Sequence, residues 1–165
     1  MAGVSIGDAR PEDWPAMWEF MRRILGAGET FCWDRDMAEE EVRARWYHDP
    51  PGRTFVAVDD EGTIVGTAVS EPNHGGPAAH VANASFMVDP DHQGRGVGRA
   101  LCGHVLEAAR ADGYSAMQFN AVVETNNAAV ALWRSFGFEI LATVPEAFHH
   151  PTAGYVGLHI MHRRL

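Results

Sequence analysis

The sequence predicts an α/β protein: a single domain over residues 1–165, built on a mixed sheet with helices on its faces. Three observations predict it. Strand-like and helix-like hydrophobic periods alternate in the order β α α β β β α β α β β. The strand–helix–strand run from residue 80 to 122 should form a right-handed parallel crossover. The chain has 165 residues, 46% hydrophobic and 21% charged, which suffices for one sizeable core and fits neither a disordered nor a fibrous protein.

Each element has its own signal. Val4–Asp8 alternates weakly, as a first strand would. Trp14, Met17, Trp18, Met21, Ile24 and Leu25 recur at helical spacing after Asp13, and Gly26-Ala27-Gly28 stops that helix. The segment GETFCWD is a loop carrying aromatics. A second helix is predicted over Asp36–Tyr47, with Glu39, Glu40 and Glu41 where the helix dipole favours acid. Pro50-Pro51-Gly52 breaks the pattern. Thr54–Val58 and Thr63–Ser70 flank the turn Asp59-Asp60-Glu61-Gly62 as a hairpin, and NHGGP at 73–77 is another turn. His80–Val88 is a strand ended by Asp89-Pro90. Gly96–Asp112 is a helix with Val97, Leu101, Val105 and Ala108 on one face. Ser115–Val122 is a strand, Asn126–Phe136 a helix stopped by Gly137, and Phe138–Val144 and Tyr155–His162 are closing strands.

Bulk chemistry excludes several classes. With 13 Lys and Arg against 22 Asp and Glu, the formal charge of −9 makes the chain a poor nucleic-acid binder, which needs a basic face. Cys32 and Cys102 form no metal or disulfide pattern and read as buried, reduced thiols. The N-terminal MAGVSIGDARPEDW lacks a basic stretch followed by an apolar one. No run approaches the roughly 18 apolar residues of a membrane span. A soluble cytoplasmic protein with no membrane partner is expected.

Residues 91–101, DHQGRGVGRAL, carry three glycines at alternate positions where a helix begins. Glycine there costs backbone entropy. The first turn of a helix, however, offers unpaired N–H groups and a positive dipole end, and bare backbone lets a bulky anion approach them. A merely tight turn is the plain alternative. Arg95 and Arg99, interleaved with the glycines, favour a phosphate cradle. The loop lacks the Gly-Lys-Ser/Thr ending of a nucleotide P-loop. In a dinucleotide fingerprint counted from Gly94, Arg99 would stand where the third glycine belongs.

QGRGVG at 93–98 resembles the pyrophosphate loop of the GNAT acyltransferase superfamily. The strand SFMVDP at 85–90 resembles that family's central strand, and NNAAVALWRSFGF at 126–138 resembles its Asn-containing helix segment. The element order matches over essentially the whole chain. The resemblance implies the GNAT fold, a mixed central sheet of about seven strands flanked by about four helices. It implies N-acetyl transfer from acetyl-CoA, with no metal. It places the diphosphate on Gln93, Gly94, Arg95, Gly96, Val97, Gly98 and Arg99, the pantetheine arm along Met87 and Val88, and Asn126 either on that arm or on the neighbouring helix start. The Val88 N–H would meet the acetyl carbonyl oxygen, where negative charge develops. Many members have Tyr where this chain has Trp133. An indole N–H donates a hydrogen bond but is a negligible acid, so Trp133 is assigned to packing.

A narrower likeness, in HVANASFMV (80–88), FNAVVETN (119–126) and TVPEAFHHPTAGYVGLHIMHR (143–163), is to a GNAT subfamily that includes fungal acetyltransferases of azetidine-2-carboxylate and other proline analogues. It implies that Asn83 orients the acceptor and that Asn120 and Asn126 lie nearby. Strand alternation puts Asn83 with Val81, Ser85 and Met87, opposite Ala82, Ala84, Phe86 and Val88. An Asn in mid-strand needs a reason; a satisfied core amide is the structural one, and substrate alignment is the functional one. His80 and Glu71 lie near enough in sequence to be weighed as general bases, although surface or structural roles suit both better. Adjacent His149 and His150 rarely make a metal site alone. The fold resemblance puts Glu29, Thr30 and Phe31 where the acceptor pocket is lined; Phe31 and Trp33 either cap a small substrate there or fold back on the core.

The expected function is therefore acetyl transfer to a small amino-acid-like amine by direct attack in a ternary complex, with no acyl-enzyme on either cysteine. Acetylation of protein N-termini or lysines, and a non-catalytic acyl-CoA sensor, stay open. The family allows a homodimer, with the C-terminal strands as a candidate surface.

Overall fold

The computed structural model describes residues 3–165. Strands β1 (Val4–Asp8), β2 (Arg53–Asp59), β3 (Ile64–Pro72), β4 (Val81–Val88), β5 (Ala116–Val123), β6 (Glu139–His150) and β7 (Gly154–Arg164) form one sheet in the order β1-β2-β3-β4-β5-β7-β6. All neighbours are antiparallel except β4 and β5. These two are joined through helix α3 (Val97–Ala111), the expected parallel crossover.

Alternation along the strands supplies two apolar faces. Val97, Leu101 and Val105 of α3 and Trp133 of α4 (Asn127–Ser135) pack on one face with Ala82 and Ala84. Helices α1 (Trp14–Ala27) and α2 (Glu39–Trp46) cover the other, where Met17, Met21 and Trp46 meet Val56, Val69 and Met87. The odd residues of β4 thus face α1 and the even ones face α3, as the pattern requires.

Trp46 and Thr67 are both 0% exposed. The Trp46 indole donates to Thr67 Oγ1 at 2.9 Å, and that hydroxyl donates onward to the Phe55 carbonyl at 2.8 Å. Replacing Thr67 by Val keeps the volume but strands both partners. Chemical denaturation should register a loss of about 1–3 kcal/mol.

Most boundaries lie within two residues of the sequence reading, and two differ by more. Helix α2 begins at Glu39 rather than Asp36, because a turn closed by Met37 N–H on Asp34 O (3.2 Å) occupies the residues before it. Strand β6 runs on past Val144 to His150. Pro145 reads as a stop, yet β6 is the sheet edge, where a missing N–H is tolerated. The irregularity is absorbed by a register shift between Val144 and Phe148, with Glu146 at φ 51°. His150 Nδ1 accepts from the N–H groups of Thr152 and Ala153, so it closes the β6–β7 turn. No cluster of metal-ligating side chains exists among the described residues.

Candidate active site

Strands β4 and β5 pair only at Val81–Ala116 and Ala82–Met117, then part. Hydrogen bonds alternate sides along a strand. Asp89 N–H bonds to Val65 O on β3, and Val81 O accepts from Asn73 on the same side. The even residues of β4 therefore direct their peptide groups the other way. Ala84, Phe86 and Val88 present N–H and C=O to the gap that β5 has vacated. That gap opens a cavity of about 800 Å³. Its walls include Asn83 to Val88 and Phe119 to Val123 without a break. A single strand face would contribute every second residue only, so the strand edges themselves form part of the wall.

The glycine loop closes one end of this cavity. Gly94 (φ 74°) and Gly96 (φ 83°) both lie in the left-handed region that glycine adopts without strain, and a Cβ on either would meet nothing within 4 Å. These two glycines thus shape the turn and leave open space over it. Gly98 serves differently: a Cβ there would come within 3.3 Å of Leu132 Cδ2, so its bareness lets α3 approach α4. Among the described residues, no protein acceptor takes the N–H groups of Gly94 through Arg99. The first bond of α3 is Ala100 N–H to Gly96 O at 3.0 Å. Six consecutive donors at a positive helix end thus lack a protein partner among the described residues, although Val97 itself is buried.

Of the residues singled out from sequence, Asn83, Met87, Val88, Gln93, Gly94, Gly96, Val97, Gly98, Arg99, Asn120, Asn126, Thr30 and Phe31 all line this one cavity. Arg95 and Glu29 do not. Met87 forms wall only: its side chain is 2% exposed against α1, and its peptide group faces β3 by parity. The Asn83 amide makes no hydrogen bond among the described residues, so it is not a satisfied core amide. Asn120 is engaged: its Oδ1 accepts from Gln118 at 2.9 Å and its Nδ2 donates to Asn73 at 2.6 Å. Asn126 Oδ1 accepts from Ala129 N–H at 3.3 Å and caps α4.

Neither Glu71 nor His80 reaches the cavity. Glu71 pairs with His48 Nε2 at 3.2 Å instead. Trp133, 8% exposed, packs against Phe86 (centroids 4.8 Å) and Phe119 (5.0 Å) in the cavity wall. The buried-thiol expectation holds for Cys102, whose burial pushes its pKa up to about 12. It fails for Cys32, which is exposed and lines the cavity, because the α1–α2 loop carries it to the mouth. Partial burial raises the Cys32 pKa and disfavours its thiolate. His92 also lines the cavity, with Nδ1 3.1 Å from Asp89 Oδ2. Sequence reasoning passed over it because the glycines beside it dominate that segment.

The model of the acetyltransferase (GNAT) family matches residues 18–138. A GCN5-related N-acetyltransferase from Kribbella flavida superposes with a TM-score of 0.95 at 54% identity, covering 98% of each chain. The L-methionine sulfoximine/L-methionine sulfone acetyltransferase of Pseudomonas aeruginosa is 30% identical over 152 residues, 87% of this chain and 84% of that protein. A GNAT phosphinothricin acetyltransferase from Sinorhizobium meliloti, solved in complex with acetyl-CoA, shares the fold at TM-score 0.88 and 21% identity, over 98% of this chain and 88% of that one. The chain spans only 46% and 63% of the length of two further relatives, the Schizosaccharomyces pombe N-acetyltransferase aca1 and human N-acetyltransferase 8B. The chain belongs to the acetyltransferase (GNAT) family, a class of enzymes that take their acyl group from acetyl-CoA.

Proposed function

We propose that this chain transfers acetyl from acetyl-CoA to the amine of a small, amino-acid-like molecule by direct attack within a ternary complex. One observation carries the reading: the unpaired N–H groups of Gly94, Gly96, Val97, Gly98 and Arg99 and the unpaired edge of β4 belong to the wall of the same cavity. The loop suits a diphosphate. The peptide groups of Ala84, Phe86 and Val88 suit an amide-bearing arm laid along the strand. Relatives that act on methionine sulfoximine and phosphinothricin support a small acceptor.

In this reading Gly94, Gly96, Val97, Gly98 and Arg99 hold the diphosphate through their N–H groups, with Gln93 at the loop entrance and Arg95 adding charge from outside. The Val88 N–H donates to the thioester oxygen, and its bond strengthens as that oxygen becomes anionic. The amine nitrogen forms the new C–N bond, the C–S bond breaks to release a thiolate, and the proton that the nitrogen loses passes to water or to that thiolate. Asn83 aligns the amine lone pair without accepting a full proton. Asn120, with Thr30 and Phe31, bounds the acceptor, and Glu29 stands behind that wall. Trp133 packs and transfers no proton. Residues 1–165 act as one acetyltransferase domain in the cytoplasm, with no nucleic-acid or membrane partner. A homodimer would pair through the exposed β6 edge beside Leu141 and Val144.

Incubation with acetyl-CoA and a panel of amines, followed by free thiol, tests the proposal. Turnover above the amine-free background is expected. Tight coenzyme binding with no turnover across amino acids, polyamines and peptides would instead make the chain a sensor.

A further inference from the structure

We infer that the acceptor carries no free carboxylate. It is an amino-acid amide, an amino-acid ester or a simple amine with an apolar side chain, taken up as the free base. This rests on the acetyl-transfer reading and names the acceptor within it.

All 13 cationic side chains of the chain are arginines, and only Arg99 lines the cavity. Arg99 lies in the first turn of α3, at the glycine-loop end, where it reaches Ser135 Oγ (3.2 Å) and lies 5.3 Å from the Phe136 ring centroid. None of the 22 Asp and Glu residues lines the cavity. Its one histidine, His92, enters the same glycine turn. The opposite end is walled by Thr30, Phe31, Cys32 and Trp33 from the α1–α2 loop and by Asn83 and Ser85 from β4. All six are uncharged.

No nearby arginine fills the gap. Arg35 Nε donates to Gly26 O at 2.8 Å. Arg45 binds Glu41 at 2.9 Å and lies 5.7 Å from the Trp33 ring centroid. Arg23 holds Asp91 with a two-pronged pair at 2.9 and 3.1 Å.

An acceptor carboxylate brought against this wall, half-buried apart from the exposed Cys32, would shed part of its water and meet no cation in return. No carboxylate lines this wall to hold an ammonium, and Glu71, opposite Asn83 on β3, is paired with His48 Nε2 at 3.2 Å, so the wall favours the neutral amine. What the wall offers is two hydroxyls and the unengaged amide of Asn83. These both donate and accept, and they suit an amide carbonyl and its NH₂. Beside them, Phe31 and Trp33 (centroids 5.6 Å, edge on) back onto Trp46 and give an apolar seat for a side chain. An α-amino group without a neighbouring carboxylate titrates near 7.7–8.0, so much of it is free base at ordinary pH.

The test uses the full chain with acetyl-CoA and two matched sets of acceptors. One is methionine, methioninamide and 3-(methylthio)propylamine. The other is phenylalanine, phenylalaninamide and phenethylamine. Thiol release gives kcat/KM for each between pH 7 and 9. In both sets the amide should exceed the acid by about 100-fold at pH 8, and the simple amine should exceed it once compared at equal free-base concentration. An acid that matches or outruns its amide overturns this inference and leaves acetyl transfer standing. No turnover with any of the six, while polyamines or peptides are acetylated, overturns this inference alone; no turnover with these or any of the wider amine panel, while calorimetry detects acetyl-CoA binding, overturns acetyl transfer itself and this inference with it.

Discussion

Gly96→Asp should lose at least about 100-fold in acetyl-CoA affinity by calorimetry, while Gly96→Asn keeps most of it. Gly96 sits at φ 83° as the N-cap of α3. Asp and Asn are the side chains that best tolerate the left-handed region, and neither would clash, since nothing lies within 4 Å of the added Cβ. The two substitutions have the same shape and differ by one negative charge. A carboxylate about 5 Å from a diphosphate costs about 3 kcal/mol for each facing charge at an effective dielectric of 20, and about 1.4 kcal/mol is tenfold. Asp at a helix N-terminus does not oppose the dipole, so thermal stability should hold. Equal affinities for the two variants would place the phosphates elsewhere.

Asn83→Ala should lower kcat/KM for the best amine by about 10–100-fold and leave acetyl-CoA affinity within about twofold. The amide makes no protein hydrogen bond among the described residues, so truncation orphans no partner. Stability should change by less than about 0.5 kcal/mol. That separates it from Thr67→Val, where two buried partners lose their bond. A parallel fall in stability and turnover would mean that Asn83 acts through the fold. An unchanged kcat/KM would remove it from the mechanism.

Much of this site was legible because its determinants are local. The glycine turn, the crossover and the two faces of β4 follow from residues adjacent in sequence. What sequence missed depends on distant pairing. Nothing in FNAVVETN announces that β5 leaves β4 after two residue pairs. Burial of a thiol depends on the path of its loop, so Cys32 was misplaced while Cys102, inside a periodic helix, was not. Glu71 lies in β3 opposite Asn83 and His80 just precedes β4, yet neither lines the cavity, and Glu71 is paired with His48 instead. Pro145 is a break by propensity and a tolerated irregularity at the sheet edge, and only sheet order separates the two.

A seat made of peptide groups has a consequence for descent. Every residue type supplies the same N–H and C=O, so a β4 edge that holds a thioester arm as proposed would keep its grip through wide side-chain drift. Mutation is then free to rework the opposite wall. One ancestral chain can give rise to descendants with unrelated diets, each still drawing on a common donor.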